Sequence, residues 1–172
     1  MKRMILLAFL FCSSLAWGQG TWRPQSDRAS QWTYDLSAST GSQNDVTYTE
    51  INLGLNWRMQ DWLVWRNALF SRQSTGASQV MGLDSSMRLT GDMQADNGAW
   101  GVNAFVGPGV RAGTQKHSAV FGEAGLVFRL GGLRIGAGAK SLKYFEDREL
   151  NNVRLPKDET QYFLILGGGG AL

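Results

Sequence analysis

Charged side chains at alternate positions are the residues of this sequence that could carry chemistry. They fall on one face of segments in which polar and apolar residues alternate, and we expect that face to be enclosed. Enclosed charges must pair and hydrogen-bond, because each unpaired one costs several kcal/mol. The set therefore predicts a salt-bridge network that fills a narrow interior or, alternatively, the lining of a narrow ion path. Its members are Asp35, Glu50, Arg58, Arg66, Arg72, Asp84, Arg88, Arg111, Glu123, Arg129, Arg134 and Lys140.

His117 and Ser118 are residue types that could act as a general base and a nucleophile. His117 is the only histidine in the chain. A histidine can activate a serine hydroxyl for attack on an acyl group. Adjacent residues on a strand point to opposite faces, however, so the pair shares a site only where the loop bends it. We therefore interpret both as exposed loop residues and expect no catalytic site. Without a second histidine we also expect no metal site, and no motif indicates a cofactor.

The elements that must position these residues are segments of about ten residues with a polar and apolar period of two, which is typical of β-strands. In the segment from Val46 to Met59, for example, Leu53 and Leu55 fall on one face and Asn52 falls on the other. Turn-forming residues separate the segments. The sequence therefore predicts an all-β protein with eight strands, at about residues 31–41, 46–59, 63–72, 79–90, 99–112, 118–130, 133–144 and 160–172.

Short and longer connections alternate between the predicted strands. The connections after the second, fourth and sixth strands are Gln60-Asp61-Trp62, a stretch around residues 92–97, and Gly131-Gly132. An even number of antiparallel strands with short turns at one end and longer loops at the other is the pattern of an up-and-down barrel that spans a membrane. We therefore predict that both chain ends lie on the periplasmic side, together with the short turns.

The short turns also predict which residues face each other. Arg66 must point inward, because an arginine that faces lipid near the midplane costs about 2–4 kcal/mol. Gly131-Gly132 supplies the positive φ angles of a tight hairpin, and we expect a bulge at Pro108, which cannot donate a ladder hydrogen bond. The predicted pairs are Met59 with Leu63, Trp57 with Trp65, Leu53 with Leu69, Glu50 with Arg72, Phe128 with Ile135, Leu126 with Ala137, Glu123 with Lys140, and Arg129 with Arg134, the last pair splayed into water.

The first eighteen residues have the order of a secretory signal peptide. Lys2 and Arg3 precede an apolar run, Met4 to Phe11, and small residues then lead to Gly18. The run is too short to span a bilayer as a helix. The only cysteine, Cys12, lies in the part removed, so the mature chain has no thiol. The predicted divisions are a signal peptide (1–18), a periplasmic segment (19–30) and an outer-membrane barrel (31–172).

Aromatic residues cluster where the predicted strands approach the short turns. An amphipathic ring sits well between hydrocarbon and water, so such a belt is typical of membrane barrels. With the strand pattern and the signal peptide, the belt makes the chain resemble the small eight-stranded outer-membrane barrels of the OmpA and OmpX type over essentially its whole mature length. The resemblance implies an integral outer-membrane protein of a Gram-negative bacterium. The belt comprises Trp32, Trp57, Trp62, Trp65, Trp100 and Phe128.

The resemblance implies a monomer without catalytic activity, whose role is structural or carried by contacts of its outer loops. Its partners would be outer-membrane lipids, including lipopolysaccharide, and the barrel-assembly machinery. The loop from Phe145 to Glu159 is the first candidate for such a contact, because it is the longest and carries Leu150, Val153 and Leu155 among its charges. A solvated hydrophilic cap is the alternative.

Three other functions stay open. A lipid-modifying enzyme, similar to the outer-membrane lipid A deacylases, would use Ser118 and His117. A passive channel would conduct through the charged interior, and a secreted soluble barrel of the lipocalin kind would have to reverse the two faces. Nucleic acid is excluded as a partner: without Lys2 and Arg3, 15 of the 17 basic residues remain against 14 acidic ones, and no basic stripe is present.

Overall fold

The computed structural model describes residues 32–43, 46–74, 76–95, 100–150 and 153–168. The predicted signal peptide and the segment 19–30 lie outside these residues. No helix among the described residues is both long and apolar enough to cross a membrane. The strands that form within this part are β1 (Trp32–Gln43), β2 (Val46–Gln60), β3 (Leu63–Ser74), β4 (Val80–Gln94), β5 (Trp100–Gly113), β6 (Ala119–Leu130), β7 (Leu133–Tyr144), β8 (Arg148–Leu150), β9 (Val153–Leu155) and β10 (Asp158–Gly168).

Eight of these strands close into one antiparallel barrel in the order β1-β10-β7-β6-β5-β4-β3-β2. The pairing of β1 with β10 completes the ring and places Leu36 opposite Leu166. The prediction of an all-β, eight-stranded antiparallel barrel is therefore confirmed. β8 and β9 form a separate hairpin in the connection between β7 and β10. We call the end where β2 meets β3, β4 meets β5 and β6 meets β7 the turn end, and the opposite end the loop end.

Tight connections at the turn end set the register of two hairpins. Gly131 has a positive φ of 59°, which an L side chain rarely adopts, and Gly132 does not share it. A positive φ at the first central position alone is the pattern of a type II′ turn. The predicted pairs that are confirmed are Trp57 with Trp65, Leu53 with Leu69, Glu50 with Arg72, Phe128 with Ile135, Leu126 with Ala137, Glu123 with Lys140, and Arg129 with Arg134.

The predicted pairing of Met59 with Leu63 is wrong. Gln60 stands opposite Leu63, and the register shifts between Arg58 and Gln60. Met59 is thus the extra residue of a bulge, and the connection is one residue shorter than predicted. Because the bulge absorbs the difference, the pairs farther from the turn are unchanged.

The predicted bulge at Pro108 is also wrong. The ladder between β4 and β5 runs from Leu89 opposite Val106 to Ser86 opposite Gly109, with the same offset on both sides of the proline. A proline cannot donate a hydrogen bond to the ladder. The strands tolerate it because Gly107 and Pro108 have no paired residue in β4, while the register on either side stays the same.

The two faces of the barrel differ sharply in polarity. Leu53 and Leu126 on the outer face are 57% and 51% exposed, whereas Glu50 and Lys140 on the inner face are 0% and 4% exposed. This is the reverse of a soluble barrel, which encloses its apolar side chains and hydrates its charges. The inner-face charges are therefore held by one another, which makes the interior the first place to look for a site.

Candidate functional site in the charged interior

A guanidinium at the centre of the loop-end half joins strands from opposite walls of the barrel. Arg111 donates to both oxygens of Asp84 at 2.6 and 2.7 Å, and to both oxygens of Glu50 at 2.7 and 3.0 Å. Glu50 belongs to β2 and Arg111 to β5, which are not neighbours in the ring. The side chain therefore crosses the lumen, and its four bonds satisfy two buried carboxylates at once.

A second guanidinium extends this network toward the loops. Arg72 donates to Glu50 at 2.9 Å and to the two oxygens of Glu159 at 2.8 and 3.2 Å. The Tyr144 hydroxyl donates to Glu159 at 2.9 Å, and the Gln161 amide donates to the same carboxylate at 2.7 Å. Together with Arg148 at 3.4 Å, four side chains donate to Glu159, which explains how it tolerates an exposure of only 5%.

Lys140 completes the network by donating to Asp84 at 2.6 Å. Each of its three cations also lies over an aromatic ring inside the barrel, within the distance at which the ring quadrupole attracts a positive charge. The rings fill the space between the charges and exclude water from them. The pairs and their distances are Arg72 over Tyr48 at 4.2 Å, Arg111 over Phe70 at 4.0 Å and Lys140 over Phe121 at 4.6 Å.

The β8-β9 hairpin contributes a cap to the loop end. Arg148 of β8 is 2% exposed, and its guanidinium stacks on the Tyr144 ring at 3.3 Å. It donates to the Pro156 carbonyl at 2.8 Å and to Glu159 at 3.4 Å. A residue of the long connection thereby turns inward over the network, and the loop end is closed by an ion-paired side chain.

Two separate ion pairs occupy the middle of the barrel, toward the turn end. Arg66 donates to both oxygens of Asp35 at 2.6 and 3.1 Å. Arg88 donates to both oxygens of Glu123 at 2.9 Å. Gly54 lies beside the first pair, and a Cβ there would be 2.7 Å from Asp35 Oδ1. The missing side chain at Gly54 leaves the space that this pair fills.

The turn end holds a cavity of about 80 Å³ that side chains from all eight barrel strands line. Four arginines stand in its wall, Arg58, Arg88, Arg129 and Arg134, and Arg88 is paired with Glu123. Asp92 faces two of them, with Arg129 at 2.9 Å and Arg58 at 4.0 Å. Apolar side chains, Phe105 among them, complete the wall. As far as the described residues show, this half of the interior combines a cavity with an excess of positive charge.

The expectation that Arg129 and Arg134 splay apart into water needs correction for Arg129. Its side chain is 14% exposed and turns toward Asp92 of β4. Asn103 also donates to Asp92, at 3.0 Å. The carboxylate holds Arg129 at the mouth of the barrel because an opposite charge nearby outweighs hydration of an exposed guanidinium.

The aromatic belt lies on the outer face near the turn end. Trp32, Trp57 and Trp65 come from three adjacent strands, with ring centroids 5.3 Å apart for the first two and 5.9 Å for the last two. Trp65 Nε1 donates to Ser85 Oγ at 2.9 Å. Indole rings supply a large apolar surface with one polar edge. The rest of the belt, Trp62, Trp100 and Phe128, is between 53% and 54% exposed.

His117 and Ser118 bond to the backbone. His117 Nδ1 lies 2.9 Å from the Gln115 carbonyl, and its ring meets the edge of Tyr144 at 5.7 Å. Burial lowers the pKa of His117 to about 4, so the ring is neutral at neutral pH. Ser118 Oγ is 3.4 Å from the amide of Gly113, which donates to it. This arrangement gives the serine a structural hydrogen bond within the β5-β6 loop.

The predicted charged residues lie inside the barrel, where all but three are less than 9% exposed. Arg58, Arg129 and Arg134 are the partly exposed ones. The interior charges predicted from the sequence do not include Glu159 and Arg148, which lie in the predicted outer loop from Phe145 to Glu159. Continuing the period of two back from Ile165 and Gln161 reaches Glu159, so that residue could have been found. Nothing in the sequence marks Arg148. Comparisons with family models, with curated proteins and with solved structures give no match to this chain.

Proposed function

We propose that this protein is an integral outer-membrane β-barrel of the OmpA and OmpX type, which serves as a non-conducting, non-enzymatic scaffold for its outer loops. One observation carries the proposal, namely that Leu53, Leu126 and similar side chains cover the outside while Glu50 and Lys140 are enclosed. That orientation is favourable in a bilayer, because the hydrocarbon solvates the apolar outer face. Water would favour the reverse, which argues against a soluble barrel of the lipocalin kind.

The belt of tryptophans supports the same proposal. Its members lie at one end of the strands, as amphipathic rings do at a membrane interface. In this orientation the turn end and both chain ends are periplasmic, and the loop end is outside the cell. The signal peptide predicted for residues 1–18 fits an exported protein. The partners that follow are lipids of the outer membrane and the barrel-assembly machinery, with the barrel itself a monomer.

The ion-paired interior supports a scaffold rather than a channel. Arg111, Glu50 and Asp84 span the lumen through bonds of 2.6 to 3.0 Å, which argues against a continuous water path at that level. An eight-stranded barrel is only wide enough for side chains to fill it. We therefore expect the reconstituted protein to give no unitary conductance steps in planar bilayers. Regular steps would favour the passive channel.

The hairpin at the loop end is the proposed contact surface. Beyond the buried Arg148, it exposes Arg154, which is ion-paired with Asp147 at 2.6 Å, and Lys157 lies 3.2 Å from the same carboxylate. Two exposed cations that share one carboxylate suit the phosphates of lipopolysaccharide. The proposed contact is thus a surface one, carried by side chains that take no part in the interior network.

The decisive experiment compares one substitution at two depths. Leu126→Arg places a charge on the outer face near the middle of β6, and we expect it to lower the free energy of unfolding in lipid vesicles by about 2–4 kcal/mol. Thr160→Arg, near the loop end of β10, should cost about 1 kcal/mol or less. If the outer face of this barrel were in water and not in lipid, both changes would be tolerated equally, because both sites would be hydrated.

Fractionation and gel mobility test the location independently. The protein should sediment with outer membranes, and it should migrate differently before and after boiling, because a closed barrel resists detergent until heated. Recovery from the soluble periplasmic fraction would contradict the proposal. Alanine at Ser118 and at His117 should leave the mass spectrum of lipid A unchanged, whereas a changed spectrum would favour the lipid-modifying enzyme.

A further inference from the structure

We infer that the turn-end cavity is a binding site for a small phosphate-type oxyanion. The inference goes beyond the scaffold role and does not require it, since the site is formed by the interior of the barrel alone. It rests on the charge, the unfilled hydrogen-bonding capacity and the size of the cavity whose wall includes Arg58, Arg129 and Arg134.

The charge of the cavity is unbalanced. The other ionic groups near it are already in pairs, Arg66 with Asp35 and Arg88 with Glu123. Among the described lining residues, four arginines stand against two carboxylates, those of Asp35 and Asp92, so the count of positive charges exceeds that of negative charges by two. Arg129 and Arg58 repel Arg134 across this space, while Asp92 and Asp35 attract it, so the positive charge is only partly compensated. A phosphate or phosphomonoester dianion carries the charge that would neutralise it.

The wall of the same cavity contains a hydrogen-bond donor that no described acceptor satisfies. Arg129 Nη2 lies 2.9 Å from Asp92, but its direction misses the geometry of a hydrogen bond, so this buried nitrogen has no acceptor among the described residues. Guanidiniums present planar forks of donors that match the oxygens of phosphate. Their positions in a low-dielectric wall concentrate the field inside the cavity, which raises the local concentration of anions.

The size of the cavity limits the ligand. It measures about 80 Å³, and a single water needs about 10–15 Å³ on the same scale. Several waters or one tetrahedral oxyanion therefore fit, whereas a nucleotide or a sugar chain does not. The ligand can be free phosphate or the phosphate of a lipid headgroup at the rim of the barrel, and the two sources share the chemistry described here.

The test is titration of the folded full-length mature protein, in a non-ionic detergent, with inorganic phosphate followed by calorimetry. We expect saturable binding that weakens with added salt. Arg134→Gln should weaken it about tenfold or more, the effect of one charge-assisted hydrogen bond. Asp92→Asn removes the competing carboxylate but keeps an oxygen for Asn103, and it should tighten binding. Lys143→Gln, on the outer face near the opposite end of the barrel, is the control and should change nothing.

Each variant is first checked for the mobility shift of the folded barrel on heating. If Arg134→Gln does not fold, Arg58→Gln at the same mouth makes the same test. The inference is overturned if the parent shows no saturable binding, if the control weakens binding as much as the mouth variant, or if Asp92→Asn weakens it. Phosphatidic acid added to the micelles then identifies the source, since competition indicates a lipid headgroup and its absence indicates free phosphate, both consistent with the site.

Discussion

The two ends of the barrel interior contain the same kinds of charged residue but differ in how those charges are compensated. At the loop end, Glu50, Asp84 and Glu159 share a continuous network with their cations, and each carboxylate accepts from at least two side chains. At the turn end, the described wall of the cavity has four arginines and two carboxylates, and Asp92 lies within 4.0 Å of both Arg58 and Arg129. Among the described residues, the first arrangement fills the interior with paired side chains, and the second surrounds a cavity with an excess of positive charge.

The difference follows from how many carboxylates the strands place at each level. Where there are enough carboxylates to pair with the guanidiniums, bidentate hydrogen bonds hold them. Aromatic rings pack over these guanidiniums and limit the access of water. Where carboxylates are too few, repulsion keeps the cations apart and space remains between them. Charge balance, as well as barrel diameter, therefore distinguishes the loop-end half of the interior, which side chains fill, from the turn-end half, which contains the cavity.

The largest effect is expected at the loop end. Arg111→Met should lower the free energy of unfolding by about 3–5 kcal/mol, because Glu50 and Asp84 keep their charges and lose the cation that bridges them. Arg134→Met is the matched change at the turn end, where loss of a repelled cation should raise that free energy by up to about 1 kcal/mol. Urea titration in lipid vesicles measures both, and equal losses would contradict the distinction between the two ends.

The next effect concerns the middle of the barrel. Gly54→Ala would bring a Cβ within 2.7 Å of Asp35 and 2.8 Å of Arg66 Nη2. We expect a loss of about 1–3 kcal/mol from this overpacking. Gly122→Ala in β6 is the control, since nothing lies within 4 Å of that Cβ, and its effect should stay within about 0.5 kcal/mol. Similar costs at both sites would mean that strand propensity, and not the ion pair, requires the glycine.

A smaller and more local effect is expected from the hairpin cap. Arg148→Gln should cost about 1–2 kcal/mol, because its hydrogen bonds to Pro156 and Glu159 are lost. Hydrogen exchange should rise in the β8-β9 hairpin while the barrel strands remain protected. Arg154→Gln in the same hairpin should change stability by about 1 kcal/mol or less, as for other exposed ion pairs. Uniform exchange across the barrel would show that Arg148 does more than close the loop end.

The most local effect is a titration in the loop next to the cap, which involves a single side chain. As pH falls through 6.5 an unfolded chain protonates His117, whereas the folded loop stays neutral until its pKa of about 4. The contribution of the loop to stability is therefore complete above pH 6.5 and is lost as pH falls from 6.5 toward 4. Because the chain has one histidine, a single NMR resonance follows the transition, and a midpoint near 6.5 would contradict burial of the ring.

The period of two in the sequence predicted the strands, their faces and most of the pairs at the short turns. The errors concern details of one or two residues, namely the length of a turn, the pairing around a proline and the first residue of a strand. Met59 became a bulge because a two-residue turn is the tighter hairpin, and Pro108 was accommodated by two unpaired positions. Glu159 was missed because β10 begins at Asp158, slightly before the predicted boundary. Strand ends are set by pairing with a neighbour, and a single segment does not contain that information.

By itself, the sequence determined which side chains turn inward, because alternation along a strand fixes the face of every residue. It also determined the neighbours across each tight turn, where chain length leaves little freedom. Only the closed tertiary structure decided which charges meet across the lumen, such as Arg72 with Glu159 or Arg111 with Glu50, separated by 87 and 61 residues. Those contacts depend on the stagger of the strands around the ring, a property of closure that no single segment encodes.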